Sequence, residues 1–87
     1  MIDGLTLGQL RTFVAIAEAG GFRAGAARLR RAQSAVSHAV ASLEQELGIA
    51  LFDRDGRRPV LTPAGTALLE DARAVLLKVD TMRARAQ

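Results

Sequence analysis

Residues 33–48 read Gln33-Ser34-Ala35-Val36-Ser37-His38-Ala39-Val40-Ala41-Ser42-Leu43-Glu44-Gln45-Glu46-Leu47-Gly48, and two unlike faces are wound through them. Val36, Val40, Leu43 and Leu47 step at i, i+4, i+7 and i+11, the spacing of a helix with one buried stripe. At roughly 100° per residue, Gln33, Ser34, Ser37, His38 and Ala41 gather on a different arc. A solvated helix face ordinarily carries Glu and Lys. This arc carries small groups that donate or accept hydrogen bonds, with no acid among them. Such a face suits a helix that enters a groove. Gly48 closes the helix, since glycine tolerates the left-handed backbone of a helix end.

Upstream, the pattern supplies two more helices. Thr6 with Gln9 three residues on is a capping-box pattern. Leu10, Phe13, Val14 and Ala17 then form one stripe, which predicts a helix over about 7–19 ended by Gly20-Gly21. Phe22, Ala26 and Leu29 mark a second, shorter helix, in which Ala24, Gly25, Ala26 and Ala27 leave room for a neighbour. A glycine inside a helix costs ~1 kcal/mol relative to alanine, so close packing is the reason to expect Gly25 there. Only Arg30 to Ala32 separate this helix from the next. A short helix, a tight connection and another helix is the helix-turn-helix outline.

Downstream, Leu51 to Arg54 and Arg57 to Leu61 flank Asp55-Gly56. Asp-Gly between two short extended runs predicts a hairpin with a two-residue type I′ turn. Pro59 restricts its own run to a sheet edge. The hairpin is small and basic, a wing. Thr62-Pro63 then opens a last helix, with threonine as N-cap and proline at the first helical position. Leu68, Ala72, Val75, Val79 and Met82 repeat at alternating spacings of four and three, and Leu69 and Leu76 widen the stripe. That is a coiled-coil seam. Running to about residue 85, the helix is longer than a three-helix head can cover, so Leu68, Leu69, Ala72, Val75, Leu76 and Val79 are expected to pair two copies. The fold class expected is mainly α: a winged helix-turn-helix over residues 1–62 and a linker or dimerisation helix over 63–87.

Composition bounds the function. Eighty-seven residues make one small domain. There is no cysteine and a single histidine, which excludes a disulfide framework, a thiolate metal site and a histidine-rich one within the chain. No cofactor is expected. Apolar runs fall short of the roughly 20 residues of a membrane span, and the expectation is a soluble protein of a reducing cytoplasm. The net charge of +3 is unevenly placed: Arg23, Arg28, Arg30 and Arg31 lie between Ala19 and Ser42 with no acid in the interval. All basic residues but Lys78 are arginine, whose planar fork fits phosphate. Arginine bias has a second origin in GC-rich coding. Three phenylalanines in apolar patterns offer no stacking platform for single strands. Nor does an active site emerge. Ser37 and His38 are neighbours on a helix and point apart, Asp53 and Asp55 flank a turn, and no glycine-rich loop follows a strand.

The chain also resembles a known family. Leu10-Arg11-Thr12-Phe13-Val14-Ala15-Ile16-Ala17-Glu18-Ala19-Gly20, Gln33-Ser34-Ala35-Val36-Ser37, Leu43-Glu44-Gln45-Glu46-Leu47-Gly48, Leu51-Phe52-Asp53-Arg54 and Leu61-Thr62-Pro63-Ala64-Gly65 occur in order. Together they are similar to the amino-terminal domain of LysR-type transcriptional regulators, over about residues 5–80. The resemblance implies a bacterial regulator that binds interrupted palindromes in double-stranded DNA as a homodimer. It also implies a further domain, outside this sequence, that takes a small-molecule effector. Ala32 stands where the family usually has Ser or Thr, Arg23 where a small hydroxyl is common, and His38 where Arg or Gln is frequent.

Residue roles follow, each beside a plainer alternative. Gln33, Ser34, Ser37 and His38 are the expected base contacts, or else small polar residues of a solvated helix. Arg23, Arg30, Arg31, Arg54 and Thr62 are the expected phosphate contacts. The alternative for Arg30 and Arg31 is a solvated pair at a turn, and for Arg54 an ion pair with Asp53 or another nearby acid. Arg57, Arg58 and Pro59 are placed at the minor groove, or on a free loop. Two other functions compete: a protein-interaction module built on the last helix, and a nucleic-acid binder that reads no sequence.

Overall fold

Thr6 begins the first helix as its spacing requires: its hydroxyl accepts the Gln9 N–H at 3.1 Å, and the Gln9 side chain accepts the Thr6 N–H at 2.9 Å. The computed structural model describes residues 4–87. Helix α1 spans Leu7–Ala19, α2 Phe22–Leu29 and α3 Gln33–Leu47. Strands β1 (Phe52–Asp53) and β2 (Val60–Leu61) form the wing, and α4 spans Pro63–Ala86. The helix boundaries agree with the periodic stripes. Gly20 (φ 88°) and Gly48 (φ 72°) close α1 and α3 in the left-handed conformation expected of them.

The core lies where α1, α2, α3 and the base of the wing meet. Phe13, Ile16, Val36, Val40, Leu43 and Leu51 are all but inaccessible to solvent. Phe52 joins them and meets the rings of Phe13 and Phe22 edge-on, at centroid distances of 5.6 and 5.4 Å. Gly25 earns its place through α1: a Cβ there would stand 2.7 Å from Ile16 Cγ1 and 2.9 Å from Ile16 Cα. The one buried polar side chain in this region, Thr12, returns its hydroxyl proton to the Gly8 carbonyl at 2.8 Å.

The wing departs from its expected turn. Phe52 pairs with Leu61 and Asp53 with Val60, so residues 54–59 form a six-residue loop, not a two-residue one. Gly56 does not take the positive φ that a type I′ turn demands. Two local effects account for this. Asp53 Oδ1 accepts the Asp55 N–H at 3.0 Å, bending the chain before the Asp-Gly pair. Pro59 has no N–H to give the ladder, so pairing starts after it.

Helix α4 is tied to the wing at its first turn. The Thr62 hydroxyl accepts the Gly65 N–H at 2.9 Å and donates to the Ala50 carbonyl at 2.7 Å. Gly65 lies so close to the Leu51 carbonyl that any Cβ would collide with it. The next turns lie on the domain's own core, where Leu69 and Ala72 are 8% and 3% exposed and Leu68 packs beside them. This corrects the expected pairing surface. Leu69 and Ala72 are covered within the protomer, because the heptad stripe rolls onto α1 before it leaves the body. Val75, Leu77 and Met82 are exposed, at 44%, 67% and 61%, and Leu76 and Val79 are half-buried.

Candidate nucleic-acid interface

Three segments converge beside the start of α3. The amino end of α3 supplies Gln33 and Ser37, the amino end of α2 supplies Phe22, Arg23, Ala24 and Ala27, and the wing loop supplies Arg54, Gly56, Arg57, Arg58 and Pro59. Together with Ala19, Gly20 and Gly21 they line one open groove. No Asp, Glu or His lines it. Its polar groups are four arginines, one amide and one hydroxyl, a donor-rich concavity suited to an anionic ligand. Gln33 is exposed and Ser37 half-buried. Both N-termini that open onto the groove lack a side-chain cap: Gly21 precedes α2 and Ala32 precedes α3. Their first-turn N–H groups therefore lack a side-chain acceptor at the positive ends of two helix dipoles.

The remaining expected contacts fall just outside. Ser34 and His38 are exposed on α3, displaced around the helix from Gln33 and Ser37. Arg30 and Arg31 are exposed in the connection between α2 and α3. Arg30 caps α2 with φ 55° and ψ 47°, a left-handed conformation that costs a non-glycine residue ~1–2 kcal/mol. Its backbone N–H is shared between the Ala26 and Ala27 carbonyls, and Arg31 donates to Ala26 at 3.0 Å. Thr62 differs from its expected role. Its hydroxyl proton goes to Ala50 and its N–H to the Leu51 carbonyl, so neither donor is left for phosphate. It serves the cap of α4.

The arginines divide by partner. Arg11, Arg28 and Arg73 pair with Asp80, Glu18 and both Glu18 and Glu70. These pairs join α1, α2 and α4, and none of their residues lines the groove. Among the described residues Arg23, Arg30, Arg31, Arg57 and Arg58 make no ion pair. Arg54 makes one, with Glu44 at 3.7 Å and not with Asp53, while its guanidinium carbon stands 4.4 Å from the Phe22 ring centroid. The contacts of Glu44 and Phe22 with Arg54 escape sequence reading. Glu44 lies 10 positions from Arg54, beyond a helix end, and Phe22 falls in a stripe that reads as core.

Comparison with known proteins agrees with this architecture. Residues 7–66 match the model of the "Bacterial regulatory helix-turn-helix protein, lysR family". The HTH-type transcriptional regulator ClcR of Pseudomonas putida is 44% identical over 79 residues, covering 91% of this chain and 27% of ClcR. TfdS of Cupriavidus pinatubonensis is 53% identical over 68 residues, covering 78% of this chain and 23% of TfdS. The chain thus spans about a quarter of the length of these curated relatives. Among solved structures, a CbnR_DBD–DNA complex superposes with a TM-score of 0.82 at 40% identity, covering 95% of this chain and 100% of that one. A BenM_DBD complex with benA site 1 DNA gives 0.90 at 36% identity, covering 94% and 95%. On the family match and on the winged helix-turn-helix that carries it, this chain belongs to the lysR family of bacterial regulatory helix-turn-helix proteins.

Proposed function

We propose that this chain binds double-stranded DNA sequence-specifically, as the operator-recognition part of a bacterial transcriptional regulator. The observation that carries the reading is the groove itself: Gln33 and Ser37 beside Arg23, Arg54, Arg57 and Arg58, with no carboxylate among the lining residues. Related DNA-binding domains that superpose on nearly the whole chain are seen on DNA. In this reading α3 enters the major groove by its amino end, where Gln33, Ser34, Ser37 and His38 meet base edges. Arg23, Arg30, Arg31 and Arg54 meet phosphates, and Arg57, Arg58 and Pro59 on the wing loop approach the minor groove. The chain binds and performs no chemistry.

Residues 1–62 form the DNA-reading part, and 63–87 form a linker helix that pairs two copies through Leu68, Val75, Leu76 and Val79. The exposure of Val75, Leu77 and Met82 supports a partner for the far half of α4. Two α3 helices related by a two-fold axis then read an interrupted palindrome. An effector acts through a further domain of the whole regulator, which works in the cytoplasm; no described helix is long and apolar enough to cross a membrane.

Selection from randomised duplex DNA, followed by titration of the winning site across salt, tests this directly. The expected result is a two-fold symmetric site whose log K falls steeply with log salt, as phosphate neutralisation requires. Recovery of no enriched sequence would remove the sequence-reading role of α3.

A further inference from the structure

We propose that Glu44 is a positioning residue for DNA contact, one carboxylate that ties the wing to α3 and holds Arg54 ready for phosphate. The proposal rests on the DNA reading above. Glu44 is the least exposed acid in any ion pair among the described residues, with its side chain 20% accessible, against 40–77% for the acids that pair elsewhere. Both of its oxygens are engaged. Oε2 accepts the N–H of Leu51 at 2.8 Å and of Phe52 at 3.3 Å, fixing the base of β1 to the last turns of α3. Oε1 stands 3.7 Å from Arg54 Nη2. The face of Phe22, at the start of α2, lies 4.4 Å from the same guanidinium.

Arg54 is therefore confined between a carboxylate on α3 and an aromatic ring on α2, yet 46% of its side chain stays accessible and it lines the groove with Gln33 and Arg23. A free surface arginine must be ordered when it meets a phosphate, and ordering opposes binding. The arrangement does that ordering during folding. One carboxylate thus sets the distance between the helix that reads bases and the arginine that grips the backbone.

The charge of Glu44 makes the idea testable by sign. A carboxylate near DNA repels phosphate, so an acid with no positioning role weakens binding, and neutralising it strengthens binding. Glu44→Gln keeps an oxygen for the Leu51 and Phe52 N–H groups but faces the guanidinium with a neutral amide. The measurements are fluorescence-anisotropy titrations of the full chain on the selected duplex and on an unrelated duplex, with thermal melting as the fold control. The proteins are wild type, Glu44→Gln, Arg54→Ala and the double variant.

Glu44→Gln is expected to melt close to wild type and to lose about 3- to 10-fold in affinity on both duplexes, the scale of a partly exposed charge pair. In the Arg54→Ala background the same change is expected to lose nothing. Phe22→Leu, which keeps apolar bulk and removes the ring, is expected to show the same dependence on Arg54. Unchanged or tighter binding by Glu44→Gln overturns the proposal, as does an equal loss without Arg54. Should Glu44→Gln not fold, Glu44→Asp takes its place, keeping the charge but drawing it back from Arg54, and affinity equal to wild type, or a loss that persists without Arg54, overturns the proposal. Failure of wild type to bind any duplex is a different outcome, which removes the DNA reading and this proposal with it.

Discussion

Gln33 is the only amide among the side chains that line the groove. It can offer adenine N6 and N7 an acceptor and a donor at once, and a truncated side chain cannot. Gln33→Ala is expected to relax discrimination at one base-pair position by ~1–3 kcal/mol while leaving affinity for unrelated DNA nearly unchanged. Arg54→Ala is expected to do the reverse, weakening binding to every sequence alike and lowering the salt slope by about 1. Competition titrations on single-base variants of the selected site, repeated across salt, separate the two; uniform loss from both would collapse the division between reading and gripping. The candidacy of Gln33 was legible in the sequence from its periodic polar face, and that of Arg54 from the resemblance carried by Leu51-Phe52-Asp53-Arg54. Glu44 was not, because its partners lie 7, 8 and 10 residues away across the Gly48 bend, and helical spacing carries no information across a bend. Thr62 was half legible: its capping role is a local signature, but the second use of its hydroxyl, on Ala50, arises only when the chain folds back.

The same distinction governs the elements. All four helices are marked in the sequence by stripes, α1 and α4 also by threonine N-caps, and the structure keeps their bounds. The wing existed in the sequence as a basic Asp-Gly hairpin, but its register did not, since turn propensity competes there with the Asp53 side chain and with Pro59. Element packing is most exacting at Gly65, where α4 meets the carbonyl of Leu51. Gly65→Ala is expected to destabilise the domain by ~1–3 kcal/mol, because backbone cannot yield as a flexible side chain does. For a domain of this size that lowers Tm by roughly 4–8 °C per kcal/mol. Gly8→Ala is the contrasting control: its Cβ would meet nothing closer than 3.8 Å, and a stabilisation of ~0.4–1 kcal/mol is expected from the reduced freedom of the unfolded chain. Melting followed by circular dichroism reads both signs. Equal behaviour of the two variants would mean that the α4–wing contact is soft.

At the scale of the whole molecule, extents of 44 × 29 × 20 Å reflect a helical head with one projecting helix. A heptad seam announces that a stripe will be covered but not by what, which is why Leu69 and Ala72 read as intermolecular and fold intramolecularly. Val75→Asp is expected to yield a monomer by analytical ultracentrifugation, with weakened affinity for the two-fold site and little change on a half-site. A dimer that survives the substitution would place the pairing surface elsewhere. After Gly65, α4 contains neither proline nor another glycine, so it has no built-in joint. Its near end is locked to the wing by Thr62 and Gly65, and its length is ~36 Å at roughly 1.5 Å per residue. It is a lever. A rotation of about 10° about its far end carries the head through roughly 6 Å, close to two base-pair steps of ~3.4 Å each. In the proposed dimer, small angular adjustments between the two α4 helices would become whole-step changes in the spacing of the two half-sites.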